Sequence, residues 1–234
     1  MENYINKLEL EYKKFQNTEY ALSQSAYMRN MFAYFGLKSE KRREISKTFL
    51  KENGKPKQEN LLELIKLLWQ KPQRDFQYFA LDLLEKQATK FREEDLQVIE
   101  YMIIEKSWWD TVDLIAAKLV GEYFKKFPEK TIPTTHKWMA SGNIWLQRSA
   151  LLFQLKYKKN TDTALLFSYI TALKDSKEFF IRKAIGWILR EYSKTNAQQV
   201  IDFVNQTKLS VLSEKEALKW LNNNKMKANY LNSK

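Results

Sequence analysis

Residues 106–113 read KSWWDTVD, two tryptophans beside two aspartates in a chain otherwise rich in lysine and arginine. If the stretch is helical, Trp109 and Asp113 stand at i and i+4 and face the same way. Indole rings receive cations, sugar faces or bases. A carboxylate next to them can stabilise a developing positive charge or orient a water. Further along, Arg148, Lys183, Arg190 and Lys194 supply cations, and Trp187 supplies a second indole. Cations suit phosphates, but a carboxylate among them repels phosphate. The combination makes sense when positive charge appears on the nucleic acid itself. Other chemistries lack their residues. Cysteine is absent and His136 is the single histidine, which excludes thiol nucleophiles and Cys-ligated metals. A His-based metal site or a conventional Ser–His pair finds no support, and no metal or organic cofactor is expected.

Helices must position these side chains. Glycine and proline are scarce, at 5 and 4 residues, and no strand-like alternation persists. Breaks fall at Gly36, 53–56, Pro72, Pro128, Pro133 and Gly142. The periodic segments between them predict helices over 2–16, 19–33, 39–52, 58–69, 73–88, 93–105, 108–126, 133–140, 143–158, 162–174, 178–194, 197–206 and 213–223. A repeat of about 35 residues organises the later ones. Laid over one another, 107–120, 142–155 and 177–190 align Trp109 with Ile144 and Phe179, and Asp113 with Arg148 and Lys183. That spacing with paired helices predicts an all-α solenoid of HEAT-like repeats, in which Asp113, Arg148 and Lys183 form one row. An irregular helical bundle is the plainer alternative.

The helix over 178–194 shows which face the row occupies. Ile181, Ile185, Ile188 and Tyr192 form an apolar stripe, and Lys183, Trp187, Arg190 and Lys194 lie almost opposite. Trp187 therefore stands among cations on an outward face. In the helix from 108, Trp108 packs with Ile115 and Leu119, while Trp109, Asp113, Ala117 and Val120 point elsewhere.

Lys and Arg number 40 against 28 acids, a formal net charge of +12 over 234 residues. Such an excess suits a polyanion, and nucleic acid before an acidic membrane. No apolar run approaches a membrane span of about 20 residues, and the N-terminus lacks the apolar core of a signal peptide. A cytoplasmic monomer with no obligate protein partner is the default expectation. The chain is read as a single domain over 1–234, with a tail after about 224 open to disorder.

Together KSWWDTVD, GNIWLQRSALLFQLKYK and SKEFFIRKAIGWILREYSKTN resemble the AlkD-type DNA alkylation-repair glycosylases. The likeness extends to SAYMRNMFAYFG at 25–36, KRRE at 41–44 and ELIKLLW at 63–69. It implies HEAT-like repeats that wrap DNA in a concave groove. It also implies excision of N3- or N7-alkylated purines, such as 3-methyladenine and 7-methylguanine, from double-stranded DNA. The family pattern of two tryptophans and an aspartate falls on Trp109, Trp187 and Asp113. Arg148 is expected on a phosphate, Tyr27 on the DNA-contacting surface, and Lys183, Arg190 and Lys194 on the strand. The likeness further implies that the lesion's sugar and charge are read without enclosing the base. Two rivals stay open: a non-catalytic HEAT-repeat scaffold that binds nucleic acid, and a protein–protein adaptor. Separately, the plainer reading of Asp113 itself is an ordinary inter-repeat ion pair with Arg148, which occupies the equivalent position one repeat on.

Overall fold

The computed structural model describes the backbone of residues 1–232 and the side chains of 1–224. Of the tail after about 224, for which disorder is the expectation, the side chains and the whole of residues 233–234 lie outside that description. The fold is all-α, as the sequence predicts, and its helices fall in two compact units, Met1–Gln87 and Ala88–Lys234.

The first unit contains α1 (Glu2–Lys13), α2 (Thr18–Tyr27), α3 (Ser39–Asn53), α4 (Gln58–Gln70) and α5 (Arg74–Glu85). Ile5, Leu8, Phe49, Trp69, Phe76 and Phe79 fill its core. Polar ties join residues 34–40 apart: Tyr12 to Ser46 at 2.8 Å and Arg42 to Asp82 at 2.9 Å. The helix expected over 19–33 stops at Tyr27. No residue of α2 is buried, so its own packing does little to prolong it. Arg29 and Asn30 turn left-handed at φ 56° and 59°. Their amides close the end by donating to Ala26 O (3.0 Å) and Ser25 O (2.7 Å), the pattern of a Schellman motif. Gly36 then brings the chain back at φ +78°, where a Cβ would collide with Asn17 O. Only glycine fits there.

The second unit begins with α6 (Asp95–Ile104). The helix expected over 108–126 is three segments end to end: α7 (Trp109–Leu114), a π-helical turn (Ile115–Val120) and α8 (Gly121–Lys126). Ile115, Ala116, Ala117, Leu119 and Val120 are all buried. Beyond Asp113, the face expected to point outward thus descends into the core. Then follow α9 (Thr131–Ala140), α10 (Ile144–Leu152), α11 (Thr163–Leu173), α12 (Phe179–Ser193), α13 (Ala197–Gln206) and α14 (Val211–Asn232).

The sequence repeat is visible in this register. Trp109, Ile144 and Phe179, aligned by their spacing, are the first residues of α7, α10 and α12. Side chains tie successive repeats at similar separations. Thr135 meets Tyr169 Oη at 2.6 Å, Tyr157 Oη donates to Gly121 O at 2.7 Å, and Trp138 Nε1 donates to Glu100 at 2.6 Å, over separations of 34, 36 and 38 residues. The second unit is a stack of helical repeats, and α7, α10, α12 and α14 are its successive layers. Among the described residues no helix is long and apolar enough to cross a membrane.

Candidate functional site

The site is assembled on α7, α10 and α12, and its first requirement is the start of α7. Lys106 is left-handed at φ 48°, and Trp108 is extended at φ −160° and ψ 159°. This entry sends the two neighbouring indoles different ways. Trp108 packs on Trp145 and Phe180, with ring centroids 5.8 and 5.2 Å away. Trp145 and Phe180 also meet, at 5.0 Å, so one aromatic cluster joins the N-terminal ends of three helices. At the start of α10, Asn143 fixes the entry by accepting from the amides of Trp145 (2.9 Å) and Leu146 (3.2 Å). Trp109, the first residue of α7, is half-buried.

One turn on, Asp113 meets the row predicted from the repeat. Arg148 Nε donates to Asp113 Oδ1 at 2.7 Å and Nη2 donates to Oδ2 at 2.8 Å, a bidentate pair across adjacent repeats. The side chains are 5% and 14% exposed. Arg148 Nη1 also donates to Phe180 O, so one guanidinium bridges α7, α10 and α12. Burial pushes the Asp113 carboxyl above its ordinary value. The hydrogen bonds and charge of Arg148 oppose that rise, and the charge of Asp110 adds to it. A guanidinium stays protonated at any working pH, and its fork matches an ionised carboxylate. Arg148 therefore favours the charged form of a carboxylate that burial alone would neutralise.

The third member of the row, Lys183, lies on α12. Its Nζ is 2.6 Å from Glu216 Oε2, and Arg190 pairs with the same glutamate. Burial lowers the Lys183 pKa, and the charges of Arg190 and Arg148 lower it further. Trp187 shares their face of α12 by helical spacing and is half-buried, neither core nor free. Lys194 pairs with Glu191 at 2.5 Å and is 43% exposed. Tyr27 belongs to the first unit, where it ends α2 and is 72% exposed.

The structure thus joins Asp113 to Arg148 directly, and Lys183 to Arg190 through Glu216. Phosphate at Arg148, the role expected from the sequence, would compete with three hydrogen bonds already made. Trp145, Phe180 and Glu216 escaped the sequence reading. Glu216 carried a signal, because it lies 33 residues beyond Lys183, the next step of the same row. Trp145 and Phe180 carried none apart from their place beside aligned helix starts. Among the described residues no group of three or more His, Asp or Glu could hold a metal ion.

Known proteins share this architecture. Residues 8–221 match the family model described as DNA alkylation repair enzyme. A solved structure, described as a predicted DNA alkylation repair enzyme from Enterococcus faecalis, superposes with a TM-score of 0.81 at 35% identity. The match covers 88% of this chain and 96% of that one. No curated protein matches significantly.

Proposed function

The chain belongs to the DNA alkylation repair enzyme family, and we propose that it is a monofunctional glycosylase. Its reaction is hydrolysis of the N-glycosidic bond of cationic N3- and N7-alkylated purines in duplex DNA. The observation that carries this reading is Asp113. Its carboxylate is fixed at both oxygens by a buried arginine, one helical turn from a half-buried tryptophan that begins the same helix.

An alkylpurine of this kind already bears a positive charge. When its bond to C1′ breaks, the electron pair leaves with the base and neutralises it, so no general acid is required. The deoxyribose is left as an oxocarbenium ion, as in other glycoside hydrolyses. The Asp113 carboxylate stabilises that cation and orients the water that adds to C1′. Each carboxylate oxygen keeps lone pairs beyond those taken by Arg148. Such stabilisation lowers a barrier only when it is in place beforehand, and Arg148 supplies that preorganisation. Trp109 and Trp187 flank the sugar and favour its cationic form by about 0.5–2 kcal/mol each. The water's proton is lost and an abasic site remains.

Lys183, Arg190 and Lys194, together with Tyr27 of the first unit, contact the DNA. We assign Arg148 to holding Asp113 in place of a phosphate contact. The chain acts as a cytoplasmic monomer on double-stranded DNA, with both units serving one activity and no bound cofactor. The test is single-turnover base release from methylated duplex. Asp113→Asn lowers the rate by about 10²–10³-fold, the effect of removing one preorganised electrostatic group, while duplex affinity holds. Excision at the wild-type rate would remove Asp113 from the mechanism.

A further inference from the structure

The row predicted from the repeat runs one layer further than the aligned segments. Asp113 and Arg148 are separated by 35 residues, and Lys183 and Glu216 by 33. Glu216 sits near the start of α14 and takes both Lys183 and Arg190 onto one carboxylate. Its side chain is 13% exposed, against 36% for Lys183 and 26% for Arg190. The anion therefore lies beneath and the cations stand above it. A loose phosphate mimic, ready to leave when DNA arrives, would show the reverse order.

The backbone holds Glu216 there. Ser213 Oγ donates to Arg182 O at 2.9 Å, which ties α14 to α12. The helices meet at Gly186, where a Cβ would be 2.5 Å from Glu216 Cβ and 2.7 Å from Ser213 O. Lys183, Trp187 and Arg190 follow at i, i+4 and i+7, so the two cations that share Glu216 stand on either side of Trp187. Two like charges at this spacing repel, and burial already disfavours the charged amine of Lys183.

Resting on the glycosylase reading, we infer that Glu216 is a positioning residue: it gathers Lys183 and Arg190 against their mutual repulsion and so fixes the face of α12 that presents Trp187 to the lesion. It touches no substrate. Its influence passes through the two cations and the indole between them.

Glu216→Gln tests this, because it keeps the shape and removes the charge. Three quantities are read on the full-length protein: duplex affinity, the single-turnover rate of base release, and the emission of Trp187. The last is isolated by subtracting the spectrum of the matching Trp187→Phe protein. The expected result is a rate about tenfold lower, affinity no weaker, and Trp187 emission shifted to the red; Glu216→Asp restores part of the rate. A purely structural role would lower affinity and rate together, and a competitor of phosphate would raise affinity at an unchanged rate. Either outcome overturns the inference, as does an unshifted Trp187 emission. Absence of base release by the wild-type protein would sink the glycosylase reading instead, and the Trp187 emission would still decide the role of Glu216.

Discussion

Replacing Arg148 with methionine removes a guanidinium and leaves its carboxylate behind. Asp113 is 14% exposed and loses two charge-assisted hydrogen bonds of 2.7 and 2.8 Å. Stranding one partner of a buried ion pair costs about 3–5 kcal/mol. The carboxyl can escape that penalty by taking a proton, and each tenfold gain in proton affinity is worth about 1.4 kcal/mol. The sign follows from which state binds the proton more tightly. Burial already raises the Asp113 pKa in the folded protein, and loss of Arg148 raises it further. The folded variant then binds the proton more tightly than the unfolded chain does. Its stability deficit is therefore small below about pH 4, the ordinary aspartate value. The deficit relative to wild type grows as pH rises from the wild-type folded pKa to the higher folded pKa of the variant, and levels off above it. Denaturant unfolding of wild type, Arg148→Met, Asp113→Asn and the double variant, each at several pH values, measures this. The Asn–Met double variant buries no charge and recovers most of the loss, because replacing a whole buried pair is often nearly neutral. A pH-independent deficit, or one below about 1 kcal/mol, would refute the argument.

Three further outcomes are expected. In the wild-type enzyme the acid limb of base release lies above about pH 4, because Asp113 must be ionised and burial raises its pKa; the pH profile of the single-turnover rate reads it, and Arg148→Met moves the limb upward. Gly186→Ala places a Cβ 2.7 Å from the backbone oxygen of Ser213 and destabilises the α12–α14 contact by about 1–3 kcal/mol, measured by denaturant midpoint. Gly36→Ala combines φ +78° with a collision against Asn17 O; it destabilises the first unit by at least about 1–3 kcal/mol, visible as early loss of amide protection in α1 and α2.

Much of this site was legible because repeats encode contacts at fixed separations. The 35-residue spacing aligned Asp113 with Arg148, and the two are ion-paired. The α12 stripe of Ile181, Ile185 and Ile188 is fully buried, and Trp187 on the other side is not. Periodicity could not reveal whether aligned charges bind each other or line up along a phosphate chain. That depends on the distance between layers, which packing sets. The π-helical turn after Asp113 was hidden for a related reason. It changes the hydrogen-bond register of the backbone, and its apolar residues look alike in either register. The end of α2 turns on Arg29 and Asn30 adopting left-handed backbone, which arginine does without announcing it. Glu216 sat in an ordinary charged segment, SEKEA, and acquires meaning only when the row is carried into the last layer.

The most direct measurement is incubation of the wild-type protein with a duplex carrying 7-methylguanine, with released products identified by mass. The expected result is free 7-methylguanine and a strand bearing one abasic site in stoichiometric amount, with no metal or cofactor added. Tight binding of the same duplex with the base still attached after many hours would contradict a catalytic role for Asp113 and leave a basic helical array that only holds DNA.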